Sequence, residues 1–137
     1  MKSYLSDSVL KTAKIAKQIA KTCKKGDILL LFGDLGAGKT VFAKGFVSYF
    51  SKAQVVSPTF TIVNTYKGDI NIYHFDLYRI NSVEELEEIG FEEYLYSDNI
   101  CLIEWPERAK ELLPRNLIKV SIIKKGDNQR EIIVEKN

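Results

Sequence analysis

The sequence predicts an α/β fold in which a mixed parallel and antiparallel sheet is flanked by helices. Residues 28–32 form an uninterrupted apolar run, as expected of a strand that is buried on both faces. A glycine-rich segment follows this run directly and leads into a helical pattern. Two pairs of strand-like segments lie at hairpin spacing further along the chain, and helical crossovers are too few for a uniformly parallel sheet.

Length and composition are those of a soluble globular protein. The 137 residues fit one compact domain, and we predict that residues 1–137 form it. The net charge of +2 creates no field that would favour a nucleic-acid or membrane partner. The two cysteines, Cys23 and Cys101, are far apart, and with a single histidine they form no zinc-type cluster. We expect two buried thiols in a reducing compartment.

The amino-terminal segment predicts an amphipathic helix. It lacks the apolar stretch of a secretory signal, and the longest apolar run of the chain is too short to cross a bilayer, so we expect a cytoplasmic protein without a membrane contact. Ser6 is the expected N-cap, and apolar and small side chains then recur with helical spacing as far as Cys23. Lysines occupy the opposite side of this helix, and Gly26 supplies the stop.

The middle of the chain predicts a hairpin followed by a helix. Strands are expected at residues 55–66 and 70–78, joined by a short loop that contains Gly68. Ser82 and Glu85 then have the spacing of a capping box, in which a serine and a glutamate satisfy the first amides of a helix.

The last third predicts a strand, a short helix and a final hairpin. Residues 100–103 are a second buried apolar run, and this run ends at the carboxylate of Glu104. Pro106 suits the first turn of the helix that follows. Strands at residues 117–123 and 131–134 are expected to close the fold as a hairpin.

Residues 33–40 match the phosphate-binding motif GxxxxGK[ST]. Such a loop wraps a phosphate chain with its backbone N–H groups, and glycines permit the tight, partly left-handed path. The helix that starts at the loop adds the partial positive charge of its N-terminus. Lys39 is expected to place its charge on the β- and γ-phosphates, and Thr40 to offer a hydroxyl to Mg²⁺.

The loop therefore predicts a P-loop NTPase-like fold and a nucleoside triphosphate as ligand. ATP is favoured over GTP because the chain contains no guanine-reading Asn-Lys-x-Asp sequence. The residues expected to bind the nucleotide are Gly33, Asp34, Leu35, Gly36, Ala37, Gly38, Lys39 and Thr40.

A phosphate-binding loop needs an acidic residue opposite it, to hold the metal shell or to orient water. Such acids lie at the carboxyl ends of core strands. Glu104 ends the apolar strand and is our first candidate for the Mg²⁺ shell. Asp76 is the expected acid on the γ-phosphate side, with a salt bridge to Arg79 as the structural alternative. The sequence alone also allows the two acids to exchange roles.

Three further residues have both a functional and a structural interpretation. Thr59 either approaches the metal and the γ-phosphate or belongs to a simple turn after Pro58. His74 is either a structural histidine or a functional one, given its position two residues before Asp76. Trp105 either packs over the site or fills the core.

Four motifs follow the loop in order over nearly the whole chain: Ser57-Pro58-Thr59-Phe60, His74-Phe75-Asp76-Leu77-Tyr78-Arg79, Leu86-Glu87-Glu88-Ile89-Gly90 and Ile103-Glu104-Trp105-Pro106. The phosphate loop alone is generic, whereas its combination with HxDxYR and IEW is specific. Together these motifs resemble the bacterial ATPase family TsaE. The resemblance implies a mixed sheet between helices and a part in making threonylcarbamoyl-adenosine in tRNA.

The same resemblance implies a reaction, partners and residue roles. The protein would bind ATP and Mg²⁺, hydrolyse ATP weakly when alone, reset the TsaB–TsaD transferase complex between turnovers, and meet tRNA only through that complex. Lys39 would hold phosphates, Thr40 and Glu104 would hold Mg²⁺, and the tryptophan after Glu104 would be functionally sensitive. Asp76 would serve ATP turnover, and Arg130 would lie near the nucleotide.

Two other functions stay open from the sequence. A small-molecule kinase of the phosphate-loop type would need an arginine-bearing lid, and the chain has four arginines with no obvious lid insertion. A nucleotide-gated binding module would use the same loop without useful turnover.

Overall fold

The computed structural model describes residues 1–55 and 61–136, and the strands within these ranges form one sheet of seven. The strands are β1 (Lys2–Ser6), β2 (Ile28–Phe32), β3 (Val63–Tyr66), β4 (Ile72–Asp76), β5 (Ile100–Glu104), β6 (Ile118–Lys124) and β7 (Arg130–Lys136). The helices are α1 (Val9–Lys21), α2 (Lys39–Phe50), α3 (Val83–Glu88) and α4 (Phe91–Leu95), with a 3₁₀ helix at Pro106–Leu112.

The sheet is mixed, as predicted, and its strand order is β1-β7-β6-β2-β5-β4-β3. β6, β2, β5 and β4 are parallel to one another and form the centre. β7, β1 and β3 add to this centre in antiparallel fashion at the two edges. The carboxyl ends of β2, β5 and β4 therefore meet along one edge of the sheet, where ligands bind in open α/β folds.

Helices cover both faces of the sheet. α1 and α2 pack on one face, where Phe42 and Phe46 contact the core together with Leu29 and Leu31 of β2. α3, α4 and the 3₁₀ helix pack on the other face, where Leu30 belongs to the core. Successive residues of β2 are thus buried on opposite sides, which explains why this strand is apolar throughout.

α1 and α2 approach each other closely at Gly45. A Cβ atom built on Gly45 would lie 2.8 Å from the Cα atom of Ala13, and still nearer to the Ala13 carbonyl oxygen. Because both neighbours are backbone atoms of α1, no side-chain rotation could relieve the overlap. The absence of a side chain at Gly45 therefore sets how deeply α2 sits against α1.

The first helix begins two residues later than the sequence predicted. Ser8 is the N-cap of α1, and its hydroxyl accepts a hydrogen bond of 3.1 Å from the amide of Lys11. Ser6 as N-cap is wrong, because Ser6 is the last residue of β1 and lies opposite Arg130 of β7. Its buried hydroxyl is 2.7 Å from the hydroxyl of Thr12 instead.

The predicted hairpins are both present, with shorter strands in the first. β3 pairs with β4 in antiparallel fashion, from Val63 opposite Phe75 to Tyr66 opposite Ile72. The predicted strand over residues 55–66 is therefore confirmed only from Val63 onward, and residues 56–60 lie outside the described part. β6 pairs with β7 as the final hairpin. None of the described helices has the length and apolar character needed to cross a bilayer.

The predicted capping box marks a true helix start but not with the expected bonds. Ser82 is the N-cap of α3, yet its side chain makes no capping hydrogen bond within the described part of the chain. Glu85 accepts a bond of 3.2 Å from the amide of Asn81, one residue earlier than a capping box requires.

The close contact at Gly45 predicts that alanine is destabilising there. Helix propensity alone would favour alanine over glycine by about 1 kcal/mol. We expect Gly45→Ala instead to lower the free energy of unfolding by about 1–3 kcal/mol, because the methyl group overlaps backbone atoms of α1. Urea unfolding measures this change. Gly126→Ala is the matched control, since nothing lies within 4 Å of its Cβ position; an equal effect of the two substitutions would contradict the prediction.

Candidate functional site

The glycine-rich loop joins the end of β2 to the start of α2. Gly36 and Gly38 have φ angles of 80° and 109°, in the left-handed region that favours glycine. The amide of Ala37 donates to the carbonyl of Asp34 at 3.0 Å and closes a turn within the loop. Gly38 is the N-cap of α2 and has no side chain to cap the first helical amides. The loop thus leaves the positive end of α2 available to an anion.

Lys39, the first residue of α2, is buried and points its ammonium group at an aromatic ring. Nζ lies 3.9 Å from the centre of the Trp105 ring. Within the described part of the chain, Nζ has no hydrogen-bond partner. Burial lowers the pKa of Lys39, and the negative charges of Glu104 and then Asp76 oppose this shift. A buried ammonium without an acceptor is costly, so the site favours an added anion.

Asp76 and Glu104 end neighbouring parallel strands and lie opposite each other in register. Asp76 Oδ1 accepts a hydrogen bond of 3.0 Å from the amide of Tyr78. The amide of Leu77 donates to the carbonyl of Glu104 at 3.1 Å and holds the chain beyond β4 against β5. Both carboxylates therefore stand at the strand ends, on the edge that the glycine-rich loop occupies.

Glu104 is buried and is paired with the only histidine of the chain. His74 Nε2 lies 2.6 Å from Glu104 Oε2, and the His74 side chain is 2% exposed. His74 and Asp76 are two residues apart on β4, so their side chains point to the same face of the sheet. The sequence had linked His74 to Asp76 by this spacing, and the structure adds the contact with Glu104.

Trp105 follows Glu104 in a strained backbone conformation. Its φ angle is 55°, a value that residues other than glycine rarely adopt. Its ring packs against Tyr78, with ring centres 4.9 Å apart, as well as against the Lys39 ammonium. A cleft of 440 Å³ opens beside these groups, and its lining includes Lys39, Thr40, Asp76, Arg79, Glu104 and Trp105.

Arg130 binds the backbone of the loop from the opposite side. Its Nε donates to the carbonyl of Ala37 at 2.9 Å, and its Nη1 donates to the carbonyl of Gln129 at 3.0 Å. A crevice of 240 Å³ lies on this side, between the loop, the start of α1 and the β6–β7 turn, and its polar lining includes Ser8, Thr12, Asn128 and Arg130. No local pattern in the sequence marked Ser8, Thr12 or Asn128 as residues of a site.

The other predicted site residues are placed as follows. Thr40 is exposed on the cleft, whereas the side chain of Ala37, within the loop, is buried. Asp34 and Leu35 are exposed at the loop tip and line a third hollow of 600 Å³ that also includes Gly33 and Trp105. Thr59 lies outside the described residues. Among the described residues, no group of three or more His, Cys, Asp or Glu side chains forms a metal cage.

The fold and the site define a class of protein. A buried parallel strand, a glycine-rich turn, a lysine at the start of a helix and acids at neighbouring strand ends are the parts of a P-loop NTPase-like α/β protein.

Comparisons with known proteins narrow this class to one family. The family profile described as threonylcarbamoyl adenosine biosynthesis protein TsaE matches residues 6–132, and the chain therefore belongs to the TsaE family, as its motifs predicted. The TsaE protein of Rickettsia conorii is 48% identical over 122 residues, which cover 87% of this chain and 69% of that protein. The one from Treponema pallidum is 36% identical over 131 residues, 95% of this chain and 97% of the relative.

A solved structure and a curated sequence from Bacillus subtilis agree with this assignment. The crystal structure of YdiB has a TM-score of 0.82 and 37% identity to this chain. The match covers 96% of this chain and 82% of the YdiB chain. The curated TsaE protein of the same species is 44% identical over 123 residues, 88% of this chain and 77% of that protein.

The bond from Arg130 to the loop predicts a measurable local effect. Because hydrogen bonds to charged groups contribute about 1.5–3 kcal/mol, we expect Arg130→Met to accelerate amide hydrogen exchange in residues 34–38 by about tenfold or more. Hydrogen exchange read by mass spectrometry measures this. Lys124→Met, on the same hairpin but exposed, is the control. Equal exchange rates in both variants would show that Arg130 does not restrain the loop.

Proposed function

We propose that this protein is a MgATP-dependent ATPase of tRNA threonylcarbamoyladenosine biosynthesis, weak alone and stimulated by a TsaB–TsaD complex. Membership of the TsaE family supports the pathway. The observation that carries the ATP proposal is the buried Lys39 ammonium, which has no hydrogen-bond partner among the described residues and stands at the start of α2. A phosphate chain in the loop would supply the missing acceptors.

The groups around the loop fit the triphosphate of ATP. The amides of the loop and of the first turn of α2 donate to phosphate oxygens, and the left-handed glycines aim them inward. The Lys39 ammonium would neutralise the β- and γ-phosphates, whether it leaves the Trp105 ring or contacts the ring and the phosphates together. The loop amides and the Lys39 ammonium thus act on the same ligand: the amides orient the phosphates by hydrogen bonds, and the ammonium neutralises their charge.

The acidic edge fits a magnesium ion bound together with the nucleotide. Mg²⁺ keeps several waters and binds through one or two protein ligands plus substrate phosphates, so a protein cage of three or more carboxylates is not required. Thr40 contributes its hydroxyl and Glu104 its carboxylate, directly or through water. When bound, the ion neutralises charge that develops on the phosphates.

Asp76 fits the task of orienting the attacking water. Its carboxylate ends β4 beside Glu104 and lines the cleft of 440 Å³, on the side to which the γ-phosphate would extend. The amide of Tyr78 fixes one of its oxygens, which holds the other in a defined direction. Thr40, Tyr78 and Arg79 are exposed around the cleft, so the described part of the chain leaves the cleft open to water. Closure by a partner would complete the site and would account for the weak activity that we propose for the protein alone.

The crevice on the Arg130 side fits the nucleoside. It adjoins the loop at Gly36, Ala37 and Gly38, and its polar lining offers hydroxyl and amide groups and the carboxylate of Asp127 to a ribose and base. Arg130 then acts near the nucleotide, as the family resemblance implies, through the loop backbone that it holds.

The same proposal gives the partners and the compartment. ATP turnover resets the TsaB–TsaD transferase, and tRNA meets this protein only through that complex. Both cysteines are free thiols, and burial raises the pKa of Cys23 and of Cys101 to about 12, which suits a reducing cytoplasm.

Nucleotide binding is expected to change the fluorescence of Trp105, the single tryptophan of the chain. Adding ADP or a non-hydrolysable ATP analogue draws the Lys39 ammonium towards phosphate and changes the field at the ring. Titration of the emission gives the affinity. Lys39→Met should keep the fold and lose the saturable response, whereas Lys44→Met, an exposed lysine on the same helix, should retain it. A full response in Lys39→Met would rule out the assigned binding mode.

Hydrolysis is expected to depend on both acids and on partners. We expect the purified protein to hydrolyse ATP slowly, the TsaB–TsaD pair to stimulate it, and Glu104→Gln or Asp76→Asn to lower the stimulated rate by about 100-fold or more. Phosphate release measures the rate, and Glu111→Gln, an exposed acid of the 3₁₀ helix, is the control.

The outcomes of this assay separate the possible functions. Stimulation that survives Glu104→Gln but not Asp76→Asn would move the essential role to Asp76. Absence of any stimulation would contradict the proposal, and phosphate transfer to a small acceptor would favour a kinase in its place.

A further inference from the structure

We propose that His74 is a positioning residue for Glu104: its Nε2–H group holds one carboxylate oxygen, so that the other is presented to the magnesium shell. This inference rests on the proposed function, which assigns Glu104 to Mg²⁺. The contact itself is short and enclosed, since Nε2 and Oε2 are 2.6 Å apart and the two side chains are 2% and 10% exposed.

The backbone fixes both partners before any ligand binds. His74 lies in the middle of β4 and is opposite Leu102, while Glu104 ends β5 opposite Asp76. The two side chains therefore meet diagonally across a parallel strand pair, on the face that α2 covers. Tyr66 of β3 packs beside the imidazole, with ring centres 6.4 Å apart. A carboxylate held by such a rigid neighbour has few orientations left.

The surroundings of the imidazole determine which nitrogen carries the proton. Nδ1 is buried and has no hydrogen-bond partner among the described residues. If Nδ1 carried the proton, a donor would be left unsatisfied and the Nε2 lone pair would face the carboxylate at 2.6 Å. With the proton on Nε2, the bond to Glu104 is made and only an acceptor is left bare. A proton on Nε2, facing Glu104, therefore fits the site.

A metal-binding carboxylate is oriented by a hydrogen-bond donor to the oxygen that does not face the metal. Hydrogen bonds of this kind orient metal ligands, and their removal typically reduces metal affinity or activity by about 10–100-fold. Without His74, the Glu104 carboxylate would rotate towards other donors. One of these is the Lys39 ammonium, because the negative charge of Glu104 already opposes the burial that lowers the pKa of Lys39. His74 thus keeps the acid assigned to the metal separate from the cation assigned to phosphate.

Three substitutions at His74 test the inference. Two of them introduce an amide that imitates one ring nitrogen, and the third removes both nitrogens. His74→Gln carries its amide nitrogen at the reach of Nε2 and keeps a donor for Glu104. His74→Asn places its amide near the position of Nδ1 and does not reach the carboxylate. His74→Phe keeps the ring volume beside Tyr66 and has no donor.

The readout is the magnesium dependence of nucleotide binding, followed by Trp105 fluorescence at fixed ADP or ATP analogue and varied Mg²⁺. We expect His74→Phe and His74→Asn to raise the Mg²⁺ concentration for half-maximal effect by about tenfold or more, with metal-free ADP affinity nearly unchanged. His74→Gln should restore the wild-type dependence to within about threefold. In turnover, kcat should fall more than KM rises.

Two results with the His74 variants would overturn the inference. One is a wild-type magnesium dependence in His74→Phe. The other is an equal defect in His74→Gln and His74→Asn, which would make His74 a structural residue only. Urea unfolding of each variant identifies any that fails to fold; the Gln and Asn variants decide the question if the Phe variant does not fold.

Glu104→Gln, measured in parallel, separates this inference from the proposed function. If Glu104→Gln raises the Mg²⁺ concentration for half-maximal effect and His74→Phe does not, the role proposed for His74 is rejected and that of Glu104 is kept. If Glu104→Gln has no effect, the assignment of Glu104 fails and the inference fails with it. In the double variant, His74→Phe should add little to Glu104→Gln, because the two residues act through one carboxylate.

Discussion

The parallel pairing of β4, β5 and β2 is the constraint on which the rest of the structure depends. Parallel strands direct their carboxyl ends to the same edge, so Asp76, Glu104 and the loop after Phe32 meet there. Parallel strands also need cover on both faces, which α1 and α2 supply on one side and the shorter helices on the other. The packing that buries the core therefore also aims the start of α2 at the two acids.

The folded chain leaves the Lys39 ammonium only partly compensated. A cation–π contact with Trp105 contributes about 0.5–2 kcal/mol, whereas removing an ion from water costs several kcal/mol even after relaxation. The lowered pKa of Lys39 expresses the same imbalance, since burial outweighs the attraction of Glu104 and Asp76. Part of the desolvation cost is thus left for an anionic ligand to offset, and the strained backbone of Trp105 stands at the same point.

Features encoded by neighbouring residues were predictable from the sequence, whereas features that depend on distant pairing were not. The strand at residues 28–32, the glycine-rich loop and the acid that ends β5 are each visible in a few consecutive residues. β1 was not predicted, because it is a mostly exposed edge strand whose partner lies at the far end of the chain. Pairing with β7 is also what keeps Ser6 in a strand and moves the N-cap to Ser8.

The candidate site divides in the same way. Motif spacing and strand ends marked Lys39, Asp76 and Glu104 as candidates, and the structure brings these three residues to one cleft. The sequence did not establish the contacts that hold the site, because these contacts join distant residues. His74 and Glu104 are 30 positions apart, and Ala37 and Arg130 are 93 positions apart. Such pairs follow only from strand order, which hydrophobic patterning does not fix.

The antiparallel additions at the sheet edge connect the proposed nucleoside crevice to the phosphate loop. Thr12 bonds to Ser6, and Ser6 lies opposite Arg130 in the β1–β7 pair. Arg130 in turn donates to the carbonyl of Ala37 within the loop. The contact to the start of α1 and the contact to the loop are therefore made by two residues that lie opposite each other in one strand pair. In the proposed binding mode, a nucleoside that orders the crevice would also stiffen the loop, because Arg130 lines the crevice and donates to the loop backbone.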